Sequence, residues 1–135
     1  MGRIVKLLMT ENQMDGDIYT TNPSWNDVEK SLISIDGNLI TYVGLYKDEE
    51  PDSDEFLLIG GGDSGNYVCS YYNDGDEYYL VNPRENEPDK LVEIPIGQMN
   101  VKPKKYFNNL EIIISTVKFF YETGKMLDSA QWDLT

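Results

Sequence analysis

The sequence predicts an α+β domain: a twisted, mainly antiparallel sheet of about five to six strands, with two helices packed on one face. Three observations predict it. Residues 38–96 hold short segments rich in β-branched and aromatic residues, divided by Gly, Asp and Asn rather than by helical stretches. Two segments with apolar residues at helical spacing bracket that run, one on each side. The length, 135 residues, fits a single domain spanning 1–135 that can bury a core without disulfides or metal.

Each element has a local reason. Residues 2–10, "GRIVKLLMT", read as a first strand, and "ENQMDGDIYTTNP" reads as loop with an Asp15-Gly16 turn. In "NPSWNDVEKSLISIDG", Ser24 is placed to cap a helix and Asp27, three residues on, completes a capping box. Trp25, Val28, Leu32 and Ile35 fall on one face, and Gly37 is expected to end the helix. Strands are expected at 38–46, 55–60, 65–72 and 77–82. Asp74-Gly75 between the last two predicts a tight hairpin with Tyr71 opposite Tyr78 and Cys69 opposite Leu80; Tyr72, Tyr79 and Val81 point the other way. A strand at 90–96 carries Pro95, which suits an edge or a strand end. The second helix runs through "NNLEIIISTVKFFYETGKM". Asn108 is its expected cap, Leu110, Ile114, Val117 and Tyr121 form its apolar stripe with Ile113 and Phe120 beside them, and Gly124 ends it. The tail to Thr135 reads as irregular, with Trp132 docked on the body.

Composition removes several chemistries. With no histidine and the single cysteine Cys69, the chain cannot build a Ser-His-Asp or Cys-His nucleophile or the usual zinc and haem sites. Cys69, mid-strand among aromatics, reads as a buried, inert thiol, and the lone cysteine suits a reducing cytoplasm. The N-terminal apolar run is too short for a secretory signal, Lys6 argues against myristoylation of Gly2, and no segment is long enough for a membrane span. A net charge of -13 disfavours nucleic acid and anionic membranes as partners and suits either a basic macromolecular partner or simple solubility.

The run "GGGDSG" holds Gly60, Gly62 and Gly65 at the spacing of a dinucleotide-binding fingerprint, after the apolar "FLLI". That motif needs a helix after its third glycine, and here a strand follows. A kinase-type glycine loop lacks its catalytic histidine and its Asp-Phe-Gly. Gly60, Gly61, Gly62 and Gly65 are therefore expected to shape a turn. Asp15-Gly16-Asp17 and Asp74-Gly75-Asp76 do not extend into a calcium loop, and chance pairs among 24 acidic residues are a weak sign of glycosidase-like chemistry.

Charge placement is more specific. From Asp48 to Pro83 there is neither Lys nor Arg, yet there are ten carboxylates. Asp48, Glu49, Glu50, Asp52, Asp54 and Glu55 crowd one loop; Asp74, Asp76 and Glu77 lie at the hairpin, beside Tyr71, Tyr72 and Tyr79. Tyrosines give rigid contact area and carboxylates steer a basic partner, so these twelve residues are the candidate partner surface.

Four segments carry a family resemblance: "NPSWNDVEKSLISIDG", "LLIGGGDSGNYVCSY", "YYLVNP" and "VKFFYETGKMLDSAQW". Together they make the chain resemble the Imm1 family of immunity proteins from bacterial polymorphic toxin systems, over most of its length. The resemblance implies a non-enzymatic cytoplasmic inhibitor of a cognate basic toxin domain, often a nucleic-acid deaminase or else a nuclease, acting by occlusion of its active site or substrate groove. It implies no catalytic residue, no cofactor, no metal and no small-molecule substrate. Trp25, Gly60, Gly61, Gly62, Gly65, Gly124 and Trp132 take structural roles under it. A small carboxylate-dependent hydrolase and a generic acidic adaptor are the alternatives of other classes.

Overall fold

The computed structural model describes residues 4–50 and 54–135. Among them the chain forms nine strands and two helices: β1 (Leu7–Thr10), β2 (Ile18–Thr21), α1 (Trp25–Ser34), β3 (Tyr42–Tyr46), β4 (Glu55–Gly61), β5 (Tyr67–Asn73), β6 (Asp76–Leu80), β7 (Leu91–Ile96), β8 (Gln98–Pro103), α2 (Leu110–Thr123) and β9 (Trp132–Leu134). Seven strands make one antiparallel sheet in the order β2-β1-β3-β4-β5-β6-β9, and β7 and β8 form a separate hairpin. The fold is α+β as expected, with more strands.

The additional strands are β2, β8 and β9. β2 lies in the segment read as loop: Ile18 and Tyr19 are exposed, so it has no core face, and its extended form comes from pairing with β1. β8 is set by its register on β7, from Leu91 opposite Pro103 to Ile96 opposite Gln98. β9 lies in the tail read as irregular and pairs Trp132 with Leu80.

The local signals in α1 hold. Ser24 Oγ accepts the Asp27 N–H at 3.1 Å, and the Asp27 carboxylate accepts the Ser24 N–H at 2.9 Å, closing a capping box. The helix ends earlier than expected, with Ile35 as its last capping residue rather than Gly37. Asp36 then turns the chain by accepting the N–H groups of Asn38 and Ile40. That turn also delays the next strand, which starts at Tyr42 rather than 38. In α2 the cap is Asn109, not Asn108: its side chain accepts the Ile112 N–H at 2.9 Å. Asn108 is buried instead, where its amide donates to the carbonyls of Leu80 and Tyr106. Gly124 closes α2 at φ 75°, with its N–H on Phe120 O at 2.7 Å. The most buried side of α2 is Ile113, Val117 and Phe120, with Leu110, Ile114 and Tyr121 at its margins, a rotation of the expected stripe.

The sheet sorts its side chains by chemistry. Leu8, Val43, Leu45, Leu57, Ile59, Cys69, Tyr71 and Leu80 form the main core with Val28 and Leu32 of α1 and Ile113, Val117 and Phe120 of α2. Trp25 and Trp132 pack at its border, Trp132 with its indole N–H on Leu127 O at 3.1 Å. Alternate residues face the other way. There the β7–β8 hairpin covers part of the sheet, with Ile94 against Val68, Val81, Tyr106 and Phe107. The rest of that face carries Leu7, Met9, Tyr42, Tyr46 and Phe56.

Candidate functional site

The candidate surface is built by two turns and one row of side chains. Asp74 and Gly75 both have positive φ, 49° and 90°, the geometry of a two-residue hairpin turn, and Tyr71 pairs with Tyr78 as expected. The ladder stops at Ser70 opposite Tyr79, one pair short of the expected Cys69–Leu80; Cys69 lies opposite Ile59 of β4. Because β4 and β5 are antiparallel, Glu55 lies opposite Asn73, and the Asp74 N–H donates to Asp54 O at 2.9 Å. The β3–β4 loop and the β5–β6 turn therefore meet at one end of the sheet. Six exposed carboxylates share that end: Asp48, Glu49, Glu50, Asp54, Asp74 and Asp76. Asp52 lies outside the described residues. Asp63 sits at the opposite end, in the glycine turn beside Gly37.

The other expected contact residues divide. Glu55 is not a free steering charge: it accepts from Lys47 Nζ at 2.7 Å and from the Tyr71 hydroxyl. Tyr71 is 5% exposed and points into the core, its ring edge-on to Phe120 at 6.0 Å. This leaves it no surface to offer a partner, because successive strand residues face opposite sides and Tyr71 takes the helix side. Burial first, and then the Glu55 carboxylate, push its hydroxyl well above the usual tyrosine range. Tyr72, Glu77 and Tyr79 face away from the helices. Tyr72 donates to the Glu77 carboxylate. Tyr79 lies under the hairpin, where its oxygen accepts from Lys102 Nζ at 2.7 Å and its ring meets Tyr106 edge-on at 4.8 Å.

Residues that the sequence reading passed over complete the surface. Register aligns Leu7, Tyr46, Phe56, Tyr72 and Glu77 in a single row across β1, β3, β4, β5 and β6. Phe56 stacks on Tyr72 with centroids 4.4 Å apart, and Tyr46 lies 5.0 Å from Phe56. A side chain at Gly44 would start 2.8 Å from the Tyr46 ring, so this glycine gives that ring its place on the sheet. Burial pushes the Tyr46 hydroxyl up to about 12, with smaller contributions from Tyr42, Tyr19 and Asp17. The signal was present in "YVGLY": aliphatic Val43 and Leu45 go to the helices, and Tyr42 and Tyr46 go to the other face.

The glycine turn does not take the strand-loop-helix form of a dinucleotide-binding motif. Gly61, Gly62 and Gly65 all have positive φ, and residues 63–65 make only a single 3-10 turn before β5 begins. β5 and not a helix follows Gly65, so the loop does not open the helix that the dinucleotide motif requires. Among the described residues no group of three His, Cys, Asp or Glu side chains is placed to hold a metal ion. No helix among them is long and apolar enough to cross a membrane. No family model matches the chain, and no curated protein matches it significantly.

Proposed function

We propose that this protein is a non-enzymatic, cytoplasmic immunity protein of the Imm1 kind. It binds a cognate basic toxin domain, one that acts on nucleic acid as a deaminase or a nuclease, and occludes its active site or substrate groove. The observation that carries the reading is the acidic end of the sheet, where two separate turns contribute six exposed carboxylates beside the Tyr46–Phe56–Tyr72 row. A nucleic-acid enzyme presents cationic surface to its substrate, and a carboxylate-rich, aromatic surface competes for that same surface. The four sequence segments of the resemblance supply the toxin context.

The test is coexpression with the product of a neighbouring reading frame. Under this reading that product arrests growth alone, copurifies with the protein in a stoichiometric complex, and is silenced by it. A neighbouring product that is harmless and does not bind would sink the proposal. Turnover of a glycosidic or ester substrate by the purified protein would favour the carboxylate-dependent hydrolase instead.

A further inference from the structure

The sheet face away from the helices is roofed only in part. The hairpin tip leans over β4, with Ile96 filling the space above Gly60, where an added Cβ would start 2.7 Å from the Ile96 side chain. Beside that tip lies an open groove of about 660 Å³. Met9 and Leu58 line it together with the rings of Tyr42, Tyr46, Phe56 and Tyr72, and Gly97 stands at its margin.

The groove is preformed. The Gly97 N–H donates to Thr41 Oγ1 at 2.7 Å, and that hydroxyl donates to Glu11 at 2.8 Å. Glu11 also accepts the Thr41 N–H at 3.0 Å, and Gln13 reaches from Glu11 to Gly97 O. Glu11 is 6% exposed. This buried carboxylate joins the end of β1, the start of β3 and the hairpin tip, so the wall of the groove is fixed without a ligand.

Its chemistry is also selective. None of the described lining residues is Lys or Arg. The Glu77 carboxylate meets the Tyr72 hydroxyl. Tyrosine and phenylalanine rings attract cations, and a negative surround strengthens that attraction. A planar guanidinium is weakly hydrated and stacks on rings, whereas an ammonium is compact and strongly hydrated.

We propose that this groove receives an arginine side chain of the protein partner, its guanidinium against the Phe56–Tyr72 rings within the negative field of Glu77. The assignment rests on reading this face as the partner surface, but its first test needs no partner. N-butylguanidinium, N-butylammonium and n-butanol are titrated into isotope-labelled protein, and amide shifts are followed by NMR. The guanidinium should give saturating shifts confined to Tyr42, Phe56, Leu58, Tyr72 and Gly97, at about millimolar affinity, with the ammonium weaker and butanol weakest. Tyr72→Leu, which keeps apolar volume, should weaken the guanidinium about tenfold. Glu77→Gln, which keeps every ring, should weaken it several-fold. Equal binding of butanol would reduce the groove to an apolar patch. Unsaturated shifts spread over residues 48–50 and 74–76 would assign the effect to the acidic end and overturn the proposal. Toxin neutralisation undiminished in Tyr72→Leu would remove the groove from the partner surface, whereas saturable groove binding with no toxin to neutralise would overturn the immunity reading alone.

Discussion

At Gly62 the backbone is held at φ 86° while its N–H donates to Asn66 O at 2.8 Å. An added Cβ would start 2.7 Å from Ile35 O and 2.9 Å from Ile35 Cγ2. Conformation and space therefore both exclude a side chain, and Gly62→Val should cost on the order of 1–3 kcal/mol, read as a lowered urea midpoint. ATP, GTP and NAD at millimolar concentration should give no saturable signal with the wild type, because the loop leads into β5 and not into a helix. Micromolar nucleotide binding lost in Gly62→Val would overturn the turn reading. The turn was legible because a strand after the third glycine breaks the phosphate motif within the sequence itself. The role of Gly60 was not legible. It depends on Ile96, 36 residues away, arriving from a hairpin whose second strand has no strong pattern of its own.

Elements fixed by neighbouring residues could be read, and elements fixed by distant partners could not. The α1 capping box is local and appears where its spacing puts it. The choice between Asn108 and Asn109 as the α2 cap is not local. Asn108 is taken by the carbonyl of Leu80, which only the folded sheet brings near. β9 is the clearest case, since three residues carry no period and acquire strand geometry only from β6. Beyond that ladder, the Val81 N–H donates to Gln131 O and the Thr135 N–H to Glu77 O, both at 2.9 Å. Truncation after Leu127 removes these bonds, exposes the β6 edge and strips Trp132 from the core border. A fully buried tryptophan side chain is worth roughly 3–5 kcal/mol; Trp132 is half-buried and contributes less, but together with the lost β9 ladder its removal should make the shortened chain melt below the full one. An unchanged melting temperature would show that the tail contributes nothing to the fold.

For the molecule as a whole, charge and protonation decide how it responds to solution conditions. Tyr46 and Tyr106 are pushed up to about 12, each chiefly by burial, and Tyr106 also by its hydrogen bond to Asp133. Burial raises Tyr72 and Cys69 as well. The folded state holds these protons more tightly than the unfolded chain, whose tyrosines titrate near 10. The stability associated with the tyrosines is complete below pH ~10 and is lost as pH rises through ~12, and the part associated with Cys69 begins to be lost about one unit lower. Denaturation midpoints should fall across that window, and tyrosinate absorbance should rise in two phases; tyrosines that all titrate near pH 10 with no loss of stability would contradict the burial. Carboxylates act differently, through their number and position. Sequence shows the acidic run, and the hairpin order alone implies that residues 48–50 and 54 lie near 74–76; the aromatic row beside them needs the register of three strands. Six solvated carboxylates at one end of a molecule with net charge -13 project a field beyond contact range at low salt. A basic toxin domain should associate fast, and more slowly as salt rises. Changing Asp48, Glu49, Glu50 and Asp76 together to Lys should leave the fold intact, since these side chains are exposed, and should lower the on-rate by about tenfold or more at low salt. The off-rate should change less, because rim charges act on encounter rather than on the formed contact. Stopped-flow association at several salt concentrations reads both numbers. Equal on-rates with the same flat salt dependence would confine this end to solubility and leave recognition to the groove between the Tyr46–Phe56–Tyr72 row and the hairpin tip.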